Sequence, residues 1–125
     1  MVFRDPEGRV LSVRKRGTDR FLLPGGKLEP GETPAQAAAR EVAEELGVTV
    51  APEELTLLGA FEAPAANEPD HVVRSTVFTS TVAITPAAAA EIEELRWASL
   101  EELASDPAVA ELTSKRVVPA LLASP

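Results

Sequence analysis

Three glutamates fall within five positions of the stretch "REVAEELGV", residues 40–48, and they are the residues of this chain best spaced to do chemistry. Glu41, Glu44 and Glu45 stand at i, i+3 and i+4, which on a helix stacks them along one face. Carboxylate oxygens in such a group suit a hard divalent cation such as Mg²⁺, which binds through one or two protein carboxylates and completes its shell with substrate phosphates. Without a cation the arrangement is unfavourable. Each like-charged pair costs about 0.2–0.5 kcal/mol, and a helix C-terminus favours positive rather than negative charge. A solvated acidic face is the plain alternative, because a fold tolerates penalties of this size. Arg40, four residues before Glu44, is placed to hold a carboxylate, and Glu32 adds a fourth acid just upstream.

The elements that position these residues are legible around them. Thr33, Pro34 and Gln36 form an N-terminal capping signature, and Gly47 suits a helix C-cap, so a helix is expected over 34–46. Ala35, Ala38, Ala39, Val42 and Leu46 form its core arc, while Ala37 and Pro34 share the acidic side and leave it uncovered. Before the helix, "PGGKLEPGET" reads as a double turn whose glycines let backbone approach an ion or phosphate. Short strands are expected at 2–3, 9–13 and 20–23, with further strands at 48–50, 55–63 (broken at Gly59) and 72–84. Residues 86–95 are ambiguous between loop and helix, and Trp97 reads as the start of a short ordered stretch. Ser99 caps a short helix, and residues 114–123 form a last one strained at Pro119. Strands and helices without regular βαβ alternation give an α+β fold, and 125 residues suit a single domain over 1–125.

Composition narrows the function classes. The absence of cysteine excludes a thiolate metal site, a disulfide scaffold and a cysteine nucleophile. A net charge of −8 argues against long nucleic acids as partners. The longest mainly apolar run, residues 82–90, is too short to span a bilayer and contains Pro86. No basic-then-apolar leader begins the chain, so it reads as soluble and cytoplasmic. Charge is unevenly shared: residues 1–27 hold seven of the twelve basic residues and only three acids. A basic start joined to an acidic remainder suggests surfaces of opposite sign facing one cleft. His71 reads as a surface residue and Trp97, Phe61 and Phe78 as packing residues, with stacking on a nucleobase as the alternative for an aromatic near the cleft. Asn67, in a polar loop, reads as a turn residue able to meet a base edge or ribose. Val2 begins almost at the first strand, which leaves pairing there incomplete or shared in a homodimer.

From Gly26 the chain reads G-KLEPG-E-TPAQAAA-R-E-V-A-E-E-L-G-V, which resembles the Nudix box, GX5EX7REUXEEXGU with U a bulky aliphatic residue. Gly26, Glu32, Arg40, Glu41, Glu44, Glu45 and Gly47 meet every fixed position, and Val42 and Val48 meet the aliphatic ones. The flanks "VLSVRKR" and "EIEELRWASLEEL" also resemble the MutT-like members of that family. The resemblance implies a mixed β-sheet sandwiched between α-helices, with the box as a loop-helix-loop. It implies hydrolysis of a nucleoside diphosphate linked to another group, with Mg²⁺ or Mn²⁺. Carried over by position, Glu41, Glu44, Glu45 and the carbonyl of Gly26 hold the metal, while Arg40 and Glu32 brace the helix. One glutamate of the set serves as base for water, with Glu44 and the downstream loop residue Glu91 as candidates and Glu93 or Glu94 in place of the latter. Arg14, Lys15, Arg16 and Lys27 are candidate cations for the phosphates. Pro64, sixteen residues past Val48, resembles the pattern of ADP-ribose pyrophosphatases, whereas the short chain looks equally like enzymes acting on nucleoside triphosphates. A non-catalytic nucleotide-binding or protein-interaction module on the same fold is the alternative. Such a module is expected to lose box carboxylates, and this chain keeps all four.

Overall fold

The computed structural model describes residues 1–123. Among the described residues six strands form two three-stranded sheets. In the first, β1 (Val2–Phe3) runs parallel to β5 (Val72–Ser80), and β5 pairs antiparallel with β4 (Thr56–Pro64). In the second, β2 (Val10–Lys15) lies between β3 (Phe21–Leu22) and β6 (Ile92–Ala98), antiparallel to both. An Arg4–Val10 bridge joins the end of β1 to β2 and links the sheets.

The central strands are apolar on both faces because helices cover both sides. Val10, Leu11, Ser12 and Val13 are all buried. Leu11 and Val13 join Phe3, Phe78 and Ile92 in a cluster closed by Val42 and Leu46 of helix α1 (Pro34–Leu46). Val2, Val10 and Val77 join a second cluster, closed by Leu103 of α2 (Leu100–Ser105) and by Val117, Val118 and Leu121 near α3 (Val118–Ala123). The result is the expected α+β arrangement of a mixed sheet flanked by helices.

α1 occupies the span its caps predict. The Gln36 N–H donates to Thr33 Oγ1 (3.2 Å), and the Thr33 N–H donates to Gln36 Oε1 (2.9 Å). Gly47 ends the helix at φ 67° with its N–H on the Ala43 carbonyl. The last carbonyls, which no helix can satisfy internally, accept from outside: the Ala89 N–H reaches Glu45 O (2.9 Å) and the Ala87 N–H reaches Leu46 O (3.0 Å). The loop that leads to Glu91 is thereby tied to the end of the acidic helix.

Several expectations need correction. Residues 48–50 form no strand, although Val50 is buried in the first cluster. β5 stops at Ser80 rather than continuing to residue 84. Residues 92–98 are a strand, and Trp97 lies near its end, not at its start. Ile92 and Leu95 both pack toward the first cluster, a spacing of three that reads as helical. A register shift opposite Arg14 and Lys15 lets a strand achieve it. On α1 the acidic side is not open: Ala37 is buried, and so is Glu45. Before α3, residues Leu112–Val117 wind as a π-helical turn, and Pro119 sits at the second position of the α-helix that follows. The wider turn accommodates the ring where a continuous α-helix would clash.

Candidate active site

Arg40 is the hub of the site. Its guanidinium grips Glu32 with two bonds, Nε to Oε2 at 2.7 Å and Nη2 to Oε1 at 2.9 Å. Nη1 meets Glu41 Oε1 at 2.7 Å and Glu44 Oε1 at 3.5 Å, and Nη2 also donates to the Lys27 carbonyl at 3.0 Å. One planar cation thus fastens the loop before the helix to two carboxylates on it, which a lysine's point charge does not reproduce. The hydrogen bonds from Arg40, then that from the Glu29 amide, hold the Glu32 carboxyl below its ordinary pKa. Glu32, and next Glu41, hold the Arg40 guanidinium more firmly protonated than usual.

Glu45 stands apart. Its residue is only 2% exposed, yet among the described residues no cation is hydrogen-bonded or ion-paired to its carboxylate; the Gly25 N–H donates to Oε1 at 3.0 Å. Burial pushes its pKa up to about 7. The Gly25 hydrogen bond opposes this, the charges of Glu41 and Glu91 add to it, and Lys15 opposes it. A buried carboxyl with two acidic neighbours favours its neutral form, although the buried Met1 ammonium also interacts with it, and a cation bound beside it would favour the charged form. Gly26 completes the crowding, since a Cβ there would collide with the Glu41 carboxylate, 2.6 Å from its Oε1. Any side chain at this position would push the Glu41 carboxylate from its contact with Arg40.

The basic N-terminal part meets the acidic remainder across β2 and β6. Lys15 Nζ pairs with Glu91 Oε1 at 3.2 Å, Arg14 Nε with Glu94 Oε1 at 3.0 Å, and Arg14 Nη1 with Glu93 Oε2 at 3.7 Å. Ala90, with φ 54°, turns the chain immediately before Glu91, and the Glu91 carbonyl accepts from the Arg16 N–H at 2.8 Å. Glu91 is thereby brought toward Glu45 and Lys15, whereas Glu93 and Glu94 are engaged by Arg14.

On the other side of the glycine turn lies a cavity of about 610 Å³, within the range of ligand sites. Gly25, Gly26, Lys15 and Lys27 line the end nearest the carboxylates. Pro34, Ala37 and Ala38 of α1 form one wall, and residues 64–68 with Val73 and Ser75 of β5 form the opposite one. Of the four candidate cations, Lys15 and Lys27 line this cavity; Arg14 is committed to β6, and Arg16 is exposed outside it. Pro64 and Asn67 both lie on the cavity wall. Sequence reasoning missed the Gly25 amide as the partner of Glu45, and Thr113 as a buried wall residue. The adjacent glycines signalled the first; nothing in the sequence signals the second.

The carboxylates have the right chemistry for a hard cation. In the geometry seen, Glu41 and Glu44 lean on Arg40, and among the described residues no three acids form a ready-made metal cluster. No helix among the described residues is long and apolar enough to cross a membrane.

The model of the NUDIX domain matches residues 1–121. The chain belongs to the NUDIX family. Its fold is similar to that of the MutT protein from Methanosarcina mazei Go1, with a TM-score of 0.79 at 23% identity over 98% of this chain and 91% of that one. A MutT-like protein of Streptomyces ambofaciens is 48% identical over 50 residues, 40% of this chain and 32% of that protein. A putative 8-oxo-dGTP diphosphatase of Bacillus subtilis (strain 168) is 29% identical over 91 residues, 73% of this chain and 58% of that protein. The matches span a third or less of the length of the first curated relatives. In this NUDIX chain the box, residues 26–48, lies wholly inside the residues matched by the domain model.

Proposed function

We propose that the chain hydrolyses the pyrophosphate bond of a nucleoside diphosphate linked to another group, such as a nucleoside triphosphate or ADP-ribose, with Mg²⁺ or Mn²⁺ as cofactor. The observation that carries this reading is the buried Glu45, without a bonded cation among the described residues, beside Glu41 and next to a glycine turn that opens on a cavity with two lysines. Family membership supports the reaction class.

Glu41, Glu44, Glu45 and the Gly26 carbonyl would hold the metal, with ligation by Glu41 or Glu44 replacing their contact with Arg40. Bound there, the metal supplies charge neutralisation for the phosphates and a lower pKa for water. The protein's own residues do the rest. Arg40 and Glu32 fix the helix against the loop. Glu44 or Glu91 accepts the proton of the attacking water, which adds to one phosphorus as the bridging P–O bond breaks. Lys15 and Lys27 meet the charge that leaves on the other phosphate. Arg14 acts through β6 by holding Glu93 and Glu94, and Arg16 contributes from outside the cavity. One domain carrying these functions, alone or as a homodimer, suffices for the reading.

The test is turnover of a panel of nucleoside triphosphates, ADP-ribose and dinucleoside polyphosphates with Mg²⁺, with the products identified. Turnover that disappears in Glu44→Gln with folding intact is the expected result. Nucleotide binding without turnover in the intact chain would instead make it a binding module.

A further inference from the structure

A diphosphate hydrolase must also hold the part of its substrate beyond the phosphates, and the positions of the aromatic side chains bear on how this one does so. The chain has four phenylalanines, one tryptophan and no tyrosine. Phe3 and Phe78 are buried in the cluster beneath α1, and Trp97 packs against it. Phe21 is buried under the guanidinium of Arg96, 4.2 Å from the ring centroid. Phe61 packs against the second cluster and lies over Gly59, where an added Cβ would meet its ring at 3.0 Å. All five are thus placed, and among the described residues no aromatic side chain lines the cavity beside the glycine turn. His71 does not line it either. Arg74, a flat side chain on that wall, is tied to Glu62 at 2.9 Å.

The cavity offers other surfaces. Leu23, Val73 and Leu112 present aliphatic wall, and Asn67, Ser75 and Thr113 present polar groups. Aliphatic walls bury apolar surface without regard to ring electronics, and hydroxyl and amide groups suit a sugar. Aromatic platforms are the usual means by which proteins hold a nucleobase by its face. We propose that this cleft grips its substrate through the diphosphate and the sugar, without a stacking platform, so that the base is not read and base-free sugar polyphosphates are substrates on a par with nucleotides. The proposal rests on the hydrolase reading above and adds the class of substrate to it. The reaction is the same: water adds to one phosphorus, the P–O–P bridge breaks, and one proton is released.

The experiment compares kcat/KM for the four deoxynucleoside triphosphates and for base-free deoxyribose 5-triphosphate with Mg²⁺. All five values are expected within about tenfold of one another, since no stacking energy separates them. A preference of about a hundredfold or more for one nucleotide over the base-free compound would overturn the proposal and leave the hydrolase reading standing. No turnover of the five, or of ADP-ribose and dinucleoside polyphosphates run beside them, would remove the hydrolase reading and this proposal with it, whereas turnover of those nucleotides alone would overturn this proposal and leave the hydrolase reading standing. A second variant supplies what the wall lacks: Val73→Trp on β5, with its fold checked by thermal midpoint. It is expected to favour purine nucleotides over the base-free compound by severalfold or more. An unmoved ratio in the folded variant would place the substrate elsewhere and count against the proposal.

Discussion

At the α1 end of the cleft, three carboxylates are bonded to one arginine, and the Gly25 amide holds a fourth, the most buried of the set. At the far wall, β5 and residues 64–68 offer valine, alanine, proline, serine and asparagine, with no buried charge. The first region violates the usual rules for charge in a fold, and the second obeys them. That contrast separates chemistry from recognition. Like charges brought together at a cost are where the proposed cation and phosphate would be handled. A wall of ordinary residues holds a ligand by shape and a few hydrogen bonds, and can be altered with smaller consequences.

Substitutions should expose this difference. Removing the negative charge of Glu44 by Glu44→Gln is expected to lower kcat by about a thousandfold, because metal binding and proton acceptance are both affected. A variant within tenfold of the parent under saturating Mg²⁺ would move the chemistry off α1. Next in size is Arg40→Lys, which keeps the charge and loses the fork that holds Glu32 and Glu41 together. A loss of about 10- to 100-fold in kcat, with little change in KM, is expected from the misplaced carboxylates. Steady-state kinetics would show whether KM moves instead.

Stability should respond in the opposite direction to activity at Glu45. Its pKa in the fold is about 7, above the ordinary 4.5, so the folded state prefers the protonated form. Below the ordinary value the burial costs nothing; the cost grows as pH rises from about 4.5 to about 7 and is complete above that. Glu45→Gln keeps an acceptor for the Gly25 N–H and removes the charge. The metal-free variant is expected to be more stable than the parent at pH 8 by on the order of 2–3 kcal/mol, and to lose that advantage at pH 4.5. Urea melts at the two pH values test this, and equal differences at both would contradict it. The smallest effect belongs to the far wall: Asn67→Ala should raise KM severalfold and leave kcat unchanged, as expected when one hydrogen bond to bound substrate is lost.

What could be read beforehand divides along the same line. α1 was legible to the residue because its signals are local: Thr33 and Gln36 cap one end, and Gly47 the other. The acidic motif was legible because fixed spacing on a helix sets geometry. The burial of Glu45 was not, since it depends on the turn at Gly25 folding back across the helix. β6 was hidden by a register shift that gives a strand a helical-looking spacing. The cavity wall was hidden because it joins residues from β5, the 64–68 loop and the turn at Leu112–Val117, which are distant in sequence and unremarkable in type.

The central claim is that the crowded carboxylates of α1 exist to hold a divalent cation against a diphosphate. Calorimetric titration with Mn²⁺, in the presence of a non-hydrolysable nucleoside triphosphate, tests it most directly when the parent is compared with Glu41→Gln/Glu44→Gln. Saturable uptake in the parent that is abolished in the folded double variant is the predicted result. No uptake by the parent, or the same uptake by both proteins, would contradict the claim.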